Sequence, residues 1–216
     1  CEAAISQGRT RLGEDVMHIL FNNICQRLAD ANSNQPWAFY KGLRLAAIDG
    51  SDIDLPDEEA IRKEYPIAND GGKNQHPCPK LRFNAIMEVG TKAIIDAEIA
   101  NTLDENGTRK TLGSKDDSEK TLAHALLARL RPGLLLLGDR YYPSCDILKK
   151  IVERGSHFLI RAKDSMNLTP IKYFEDGSYI AKITSRRSGS VGVNEVVVRV
   201  IEYHVYNKEH EIVGRG

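Results

Sequence analysis

The sequence predicts an α/β fold: a mixed sheet flanked by helices, with a β-rich portion towards the C-terminus. Three observations carry that expectation. Between residues 43 and 160 the apolar patterning reads as three strands, a helix, a strand, a helix and a strand. Two of the strands, Leu43 to Ile48 and Leu134 to Leu137, are largely apolar runs, the pattern of buried strands. From about Asp164 the character changes. Tyr179 to Ile183 and Val196 to Tyr206 are then strand-like, separated by the run SRRSGSVG.

The 216 residues suffice for a large domain with a real core. An apolar content of 41% and a charged content of 28% fit a globular chain, and no apolar run approaches the length of a membrane span. The chain opens on Cys1 rather than Met, so it is expected to be a fragment. Cys1, Cys25, Cys78 and Cys145 are scattered without a CxxC pair, which predicts free thiols. His76 and Cys78 alone do not make a zinc site. The formal net charge is +0, which does not by itself mark a nucleic-acid binder. Locally, however, Arg140, Lys149, Lys150, Arg154, Arg161 and Lys163 outnumber Asp146 and Glu153, a stretch compatible with DNA.

In chain order, Leu12, Val16, Ile19, Leu20, Ile24 and Leu28 recur at helical spacing and predict an amphipathic helix over residues 12–28. Asn32 to Pro36 break it and mark the best boundary. Trp37, Phe39 and Tyr40 lead into the first strand, with packing at a domain junction as their expected role. LRLAAI then delivers Asp49 at its end, with Gly50 opening a turn and Asp52 and Asp54 as solvated loop acids. Asn69 to Pro79 is a loop by composition. Phe83 to Val89 and Ala93 to Ile99 form a hairpin about Gly90-Thr91. Asp96 lies inside the second arm, and its mid-strand place ranks it below Asp49 as a ligand.

Asn101 to Lys115 reads as a polar surface loop. Ser114 or Ser118 caps a helix reaching Arg131, with Leu122, Leu126, Leu127 and Leu130 on one face and Pro132-Gly133 as its stop. LLLLGDR repeats the earlier design by delivering Asp139 off a buried strand. A helix from about Ser144 follows, with Ile147, Leu148, Ile151 and Val152 apolar and Gly155 ending it. His157 to Ile160 is a further strand. An acid held by rigid backbone at the edge of a core suits a metal ligand, and two that converge suit a hard divalent cation.

The blocks AIDGSDIDLPD, PGLLLLGDRYYPSCDIL, HFLIRAK and LTPIKYFEDGSYIAKI resemble the insertion-sequence-four family of DDE transposases, and AAISQGRTRLG resembles the end of that family's N-terminal domain. The resemblance implies residues 1–36 as the end of an N-terminal helical domain and 37–163 as the first part of an RNase H-like core. Residues 164–216 are then a β-rich insertion, incomplete. It implies Asp49 as the first catalytic aspartate and Asp139 as the second, with two Mg²⁺ or Mn²⁺ ions as cofactors. Cleavage of a phosphodiester loads charge on attacking and leaving oxygens, which paired cations about 3.5–4 Å apart can stabilise. Arg140, Arg161 and Lys163 are the candidates for contacts to backbone phosphate.

The implied partners are transposon-end and target DNA, with no membrane and with a homodimer when complete and DNA-bound. The implied location is the bacterial cytoplasm. The sequence departs from the pattern twice. Tyr141 stands where the family more often has glycine, and no tyrosine-arginine-glutamate-lysine helix carrying the third carboxylate precedes Gly216. Glu202, inside VVVRVIEYHVY, is not nominated for that place. A hydrolytic nuclease of the same fold and an inactive DNA-binding remnant remain the alternatives.

Overall fold

The computed structural model describes residues 2–31, 35–65, 78–100, 119–186 and 193–215. These divide into two units, Cys1–Arg129 and Leu130–Gly216.

The first unit opens on α1 (Glu2–Ala31), whose helical geometry breaks at Gly13 (φ 73°, ψ 176°). The expected helix forms its second part. Its apolar positions Leu12, Val16, Ile19, Leu20 and Ile24 are exposed, and the half-buried side holds Phe21, Asn22 and Cys25 instead. A 3-10 turn (Pro36–Ala38) leads to β1 (Phe39–Tyr40), joined to β2 (Leu43–Asp54) through Lys41 and Gly42. Both turn residues have positive φ (49° and 81°), the conformation that matches a two-residue turn to strand twist. Trp37 and Tyr40, expected to be packed, are 58% and 54% exposed.

β2 pairs antiparallel with β3 (Lys80–Glu88) from Ala46↔Glu88 to Asp54↔Lys80. β3 in turn pairs antiparallel with β4 (Ile94–Ile99), forming the expected hairpin. β2 therefore does not stop at Ile48. The acids expected in a loop are strand residues, because Asp52 meets Arg82 at 2.9 Å and Asp54 meets Lys80 at 3.4 Å directly across the ladder. Opposed cations let a polar segment stay in a strand whose backbone is already paired. The short α2 (Glu59–Glu64) follows β2, in the acidic stretch after Asp57.

Directly opposed residues share a face of the sheet. Ala46, Ile48 and Gly50, with Glu88, Ile86 and Asn84, and then Asp96 and Glu98, therefore line one face. α3 (Glu119–Ala128) covers it. Leu122, Ala123, Leu126 and Leu127 are buried, as the sequence pattern predicts, and so is Leu130 beyond the helix. The Asn84 side-chain amide donates to the Glu119 carbonyl at 3.0 Å. The capping serines lie outside the described residues.

In the second unit β5 (Leu134–Gly138) and β6 (His157–Ile160) run parallel, Leu135↔His157 to Gly138↔Ile160. Their crossover contains α4 (Cys145–Glu153). Ser144 caps it, its hydroxyl accepting from the Ile147 amide at 3.3 Å. Ile147, Leu148 and Ile151 are buried, whereas Val152 is exposed and belongs to the outer side of the helix. Gly155 ends the crossover at φ 71°, with Pro132 Cβ 3.2 Å from where a Cβ would stand. Gly155→Ala should therefore cost about 1 kcal/mol or somewhat more, read as a lower urea midpoint at unchanged slope. An unchanged midpoint would show that this turn relaxes freely.

The β-rich portion forms as expected, with adjusted boundaries. β7 (Pro170–Tyr173), β8 (Tyr179–Arg186) and β9 (Val193–Val200) make an antiparallel sheet, and β10 (His204–Tyr206) pairs with β11 (Ile212–Arg215). The expected strand from Val196 to Tyr206 is thus two strands, interrupted at residues 201–203. Tyr179, Ala181, Val196 and Val198 pack with Cys145 and Leu148 of α4. Asn194 adds polar ties, donating to Asp146 at 3.2 Å and accepting from Lys149 at 3.1 Å. Burial raises the Cys145 thiol above its ordinary range, and Cys25, Cys78 and Cys145 are all free. The α/β class holds, with antiparallel strand pairs in the first unit, a parallel pair in the second and helices flanking both.

Candidate active site

Asp49 sits in the middle of β2, opposite Ala85, which is itself opposite Ala97. Its side chain points to the face away from α3, and it is exposed. One carboxylate oxygen, Oδ1, accepts from the Gly50 amide at 3.0 Å, which orients the group. Gly50 does not open a turn. Its place in the strand is steric: a Cβ there would stand 2.4 Å from Glu119 Oε1 and 2.6 Å from Glu119 Cδ. Nothing local in the sequence marks Glu119, because its approach to Gly50 comes from the packing of α3 on the sheet.

Asp139 follows β5 directly and is exposed. Its Oδ1 accepts from the Tyr141 amide at 2.7 Å, an Asx turn of the kind aspartate favours after a strand. Tyr141 is not among the residues with positive φ, so this turn does not require glycine. Tyr141 meets the buried Tyr142 edge-on at 5.9 Å, and Lys163 Nζ lies 5.9 Å from the Tyr141 ring. The Arg161 amide donates to the Gly138 carbonyl at 3.4 Å, extending the parallel ladder by one step. Asp139, Arg140 and Arg161 therefore share the carboxyl ends of two parallel strands, with Lys163 two residues on. Such ends are where open α/β sheets offer a crevice to ligands.

The other strand acids of the first unit are differently placed. Asp96 and Glu98 are both held by Arg129, at 3.0 and 2.8 Å. The hydrogen bond to Asp96 is the main cause that raises the Arg129 guanidinium above its ordinary value. Asp52 and Asp54 have Arg82 and Lys80. Glu88 is buried and accepts from the Thr91 amide and hydroxyl at 2.5 and 2.6 Å. Among the described residues Asp49 alone of these acids is exposed and has no cationic partner. Mid-strand position thus fails as the reason to prefer it over Asp96, since both are mid-strand. What separates them is the face: Asp96 looks towards α3 and its arginine, Asp49 away.

Glu202 lies in the break between β9 and β10 and accepts from the Tyr179 hydroxyl at 3.1 Å. Burial first, and that carboxylate second, push the Tyr179 phenol up. Among the described residues no three His, Cys, Asp or Glu side chains gather as a ready metal set.

Residues 40–210 match the model of the Transposase DDE domain family. The chain belongs to that family. The matched span holds Asp49, Asp139, Arg140, Arg161 and Lys163, so all five candidates lie within the DDE transposase domain. The putative transposase InsZ of Escherichia coli K12 is 30% identical over 163 residues, 74% of this chain and 49% of that protein. The transposase InsG for insertion sequence element IS4, from the same organism, is 23% identical over 205 residues, 92% of this chain and 42% of its own length. This DDE transposase chain therefore spans about half the length of the curated relatives it matches. A cryo-EM structure of the piggyBac transposase synaptic complex with hairpin DNA aligns with a TM-score of 0.38 at 12% identity, over 77% of this chain and 35% of that one. Among the described residues of this DDE transposase domain, no helix is long and apolar enough to cross a membrane.

Proposed function

We propose that the chain is the first part of the catalytic region of a bacterial DNA transposase, which cleaves insertion-element ends and joins them to target DNA. The observation that carries this reading is the state of its two candidate carboxylates. Asp49 and Asp139 are each exposed, each oriented by one backbone amide, and without a cationic partner among the described residues. Asp52, Asp54, Asp96 and Glu98 of the first unit's strands are instead neutralised by arginine or lysine. An oriented, unneutralised carboxylate is a hard-cation ligand with its cost of ordering already met.

Asp49 and Asp139 fit divalent metal by donor type and are the residues that would hold Mg²⁺ or Mn²⁺. Bound there, two such cations supply Lewis-acid stabilisation of the attacking and leaving oxygens. The side chains themselves hold and orient. Arg140, Arg161 and Lys163 grip the phosphates beside Asp139 and carry no base information. The third carboxylate of the family we place outside these 216 residues, and Glu202 stays with Tyr179. In the same reading residues 1–36, 37–163 and 164–216 are the end of a helical domain, the start of an RNase H-like core and a β-rich insertion. The working form is a homodimer on DNA in the cytoplasm.

The test is metal-dependent nicking and strand transfer on insertion-end DNA by the full-length protein and by this chain alone. The full-length protein should do both, and the present chain should cut poorly or not at all. Nicking without joining would make the protein a hydrolytic nuclease. Robust cutting by this chain, lost on Glu202→Gln, would put the third carboxylate at Glu202. Neutralising Arg140, Arg161 or Lys163 singly should weaken duplex binding alike across sequences and lower the salt slope by about one unit per lost contact. Three unchanged slopes would make them ordinary surface charges.

A further inference from the structure

Trp37 is the chain's single tryptophan and stands 12 positions before Asp49. A lone indole that is 58% exposed, followed three residues later by a tyrosine 54% exposed, is apolar surface that folding leaves uncovered. The two rings that follow it in β1 each carry a cation, on opposite faces of the strand pair. Lys41 Nζ stands 5.6 Å from the Tyr40 ring, and the Arg44 guanidinium lies 5.5 Å from the Phe39 ring. A Cβ on Gly90 would lie 2.5 Å from Ala38 Cβ, so the turn that carries the exposed Lys92 packs against the residue after Trp37. The acid of that corner, Glu88, is buried and turned to Thr91. Lys41, Gly42 and Lys92 all have positive φ and serve tight reversals.

We propose that Trp37 and Tyr40, with Lys41 and Lys92, form a platform for unpaired DNA, the rings taking bases and the ammonium groups taking phosphates. Exposed aromatic faces beside cations suit a single strand, because every unpaired base has a free face whereas a duplex hides its own. Charge complementarity selects a polyanion over an apolar protein surface. The inference rests on the reading of the chain as acting on DNA, and supplies a second contact separate from the carboxylates: a hold on nucleotides unpaired beside a cut.

Trp37 reports on itself, as no other indole is present. The 216-residue chain is titrated, with chelator and at low salt, with an end-labelled oligothymidylate and with a duplex of equal length. Anisotropy gives binding and indole emission gives stacking. The single strand should quench Trp37 emission saturably, and the duplex much less. Trp37→Ala and Tyr40→Ala should each weaken single-strand binding about tenfold, and Lys41→Ala should lower its salt slope by about 0.7. All three positions are exposed, and circular dichroism confirms that the variants fold. Single-strand binding with unchanged emission would overturn the platform and leave the DNA reading intact. Absence of any DNA binding would overturn both. Emission that changes with protein concentration alone would assign the patch to a second copy, and overturn the proposal.

Discussion

Asp49→Ala in the full-length protein should abolish cleavage of insertion-end DNA, by about a thousandfold or more. That ratio corresponds to losing about 4 kcal/mol of charge stabilisation that acts only in the transition state. Asp139→Ala should do the same, and under the proposed function the two losses should not add. DNA affinity should stay within about twofold, since the proposed phosphate contacts are other side chains. The informative control is Asp52→Asn, three residues from Asp49 on the same strand. It breaks an exposed ion pair with Arg82 and should change stability by about 0.2–1 kcal/mol and cleavage little. A single-turnover nicking assay decides. Equal damage from Asp52→Asn would mean that exposure and a missing counter-charge do not mark the catalytic acid.

Leu126→Ala should lower stability by about 2–5 kcal/mol, the usual cost of emptying a fully buried leucine site. Leu126 is 0% exposed on α3, over the sheet that carries Asp49 on its far side. Val152→Ala on α4 removes a similar apolar group from an exposed position and should stay within about 0.5 kcal/mol. Urea unfolding followed by circular dichroism compares them. Equal effects would mean that α3 does not seal this face.

The fold was legible wherever local pattern and tertiary demand agree. The leucines of α3, the Ser144 cap, Gly155 and the run Leu134 to Leu137 all announce themselves within a few residues. The end of β2 was not legible. What keeps Asp49 to Asp54 in a strand is Lys80 to Ala85 across the ladder, 26 to 36 residues away along the chain, and no local window contains that information. The same limit hid Glu119 above Gly50. Apolar spacing likewise marks a helix face without saying that something covers it, as the exposed leucines and isoleucines of α1 show. For the site, the residue types around Asp49 were readable. The face that distinguishes it from Asp96 needed the pairing register.

The cross-strand pairs at the far end of β2 act as register keys. A strand of alternating faces tolerates no slip by one position, since such a shift exchanges everything on one side for everything on the other. Asp52 against Arg82 and Asp54 against Lys80 fit in only one alignment, and moving β2 by a residue would set acids beside Leu81 or Phe83 instead. At the near end the Val89 amide donates to Leu45 at 3.0 Å, and the Lys41-Gly42 reversal fixes where β2 begins. DGSDID is therefore a single phrase with two kinds of word. Two of its aspartates spend their charge on alignment, and alignment is what keeps the third, Asp49, turned outward with its charge unspent.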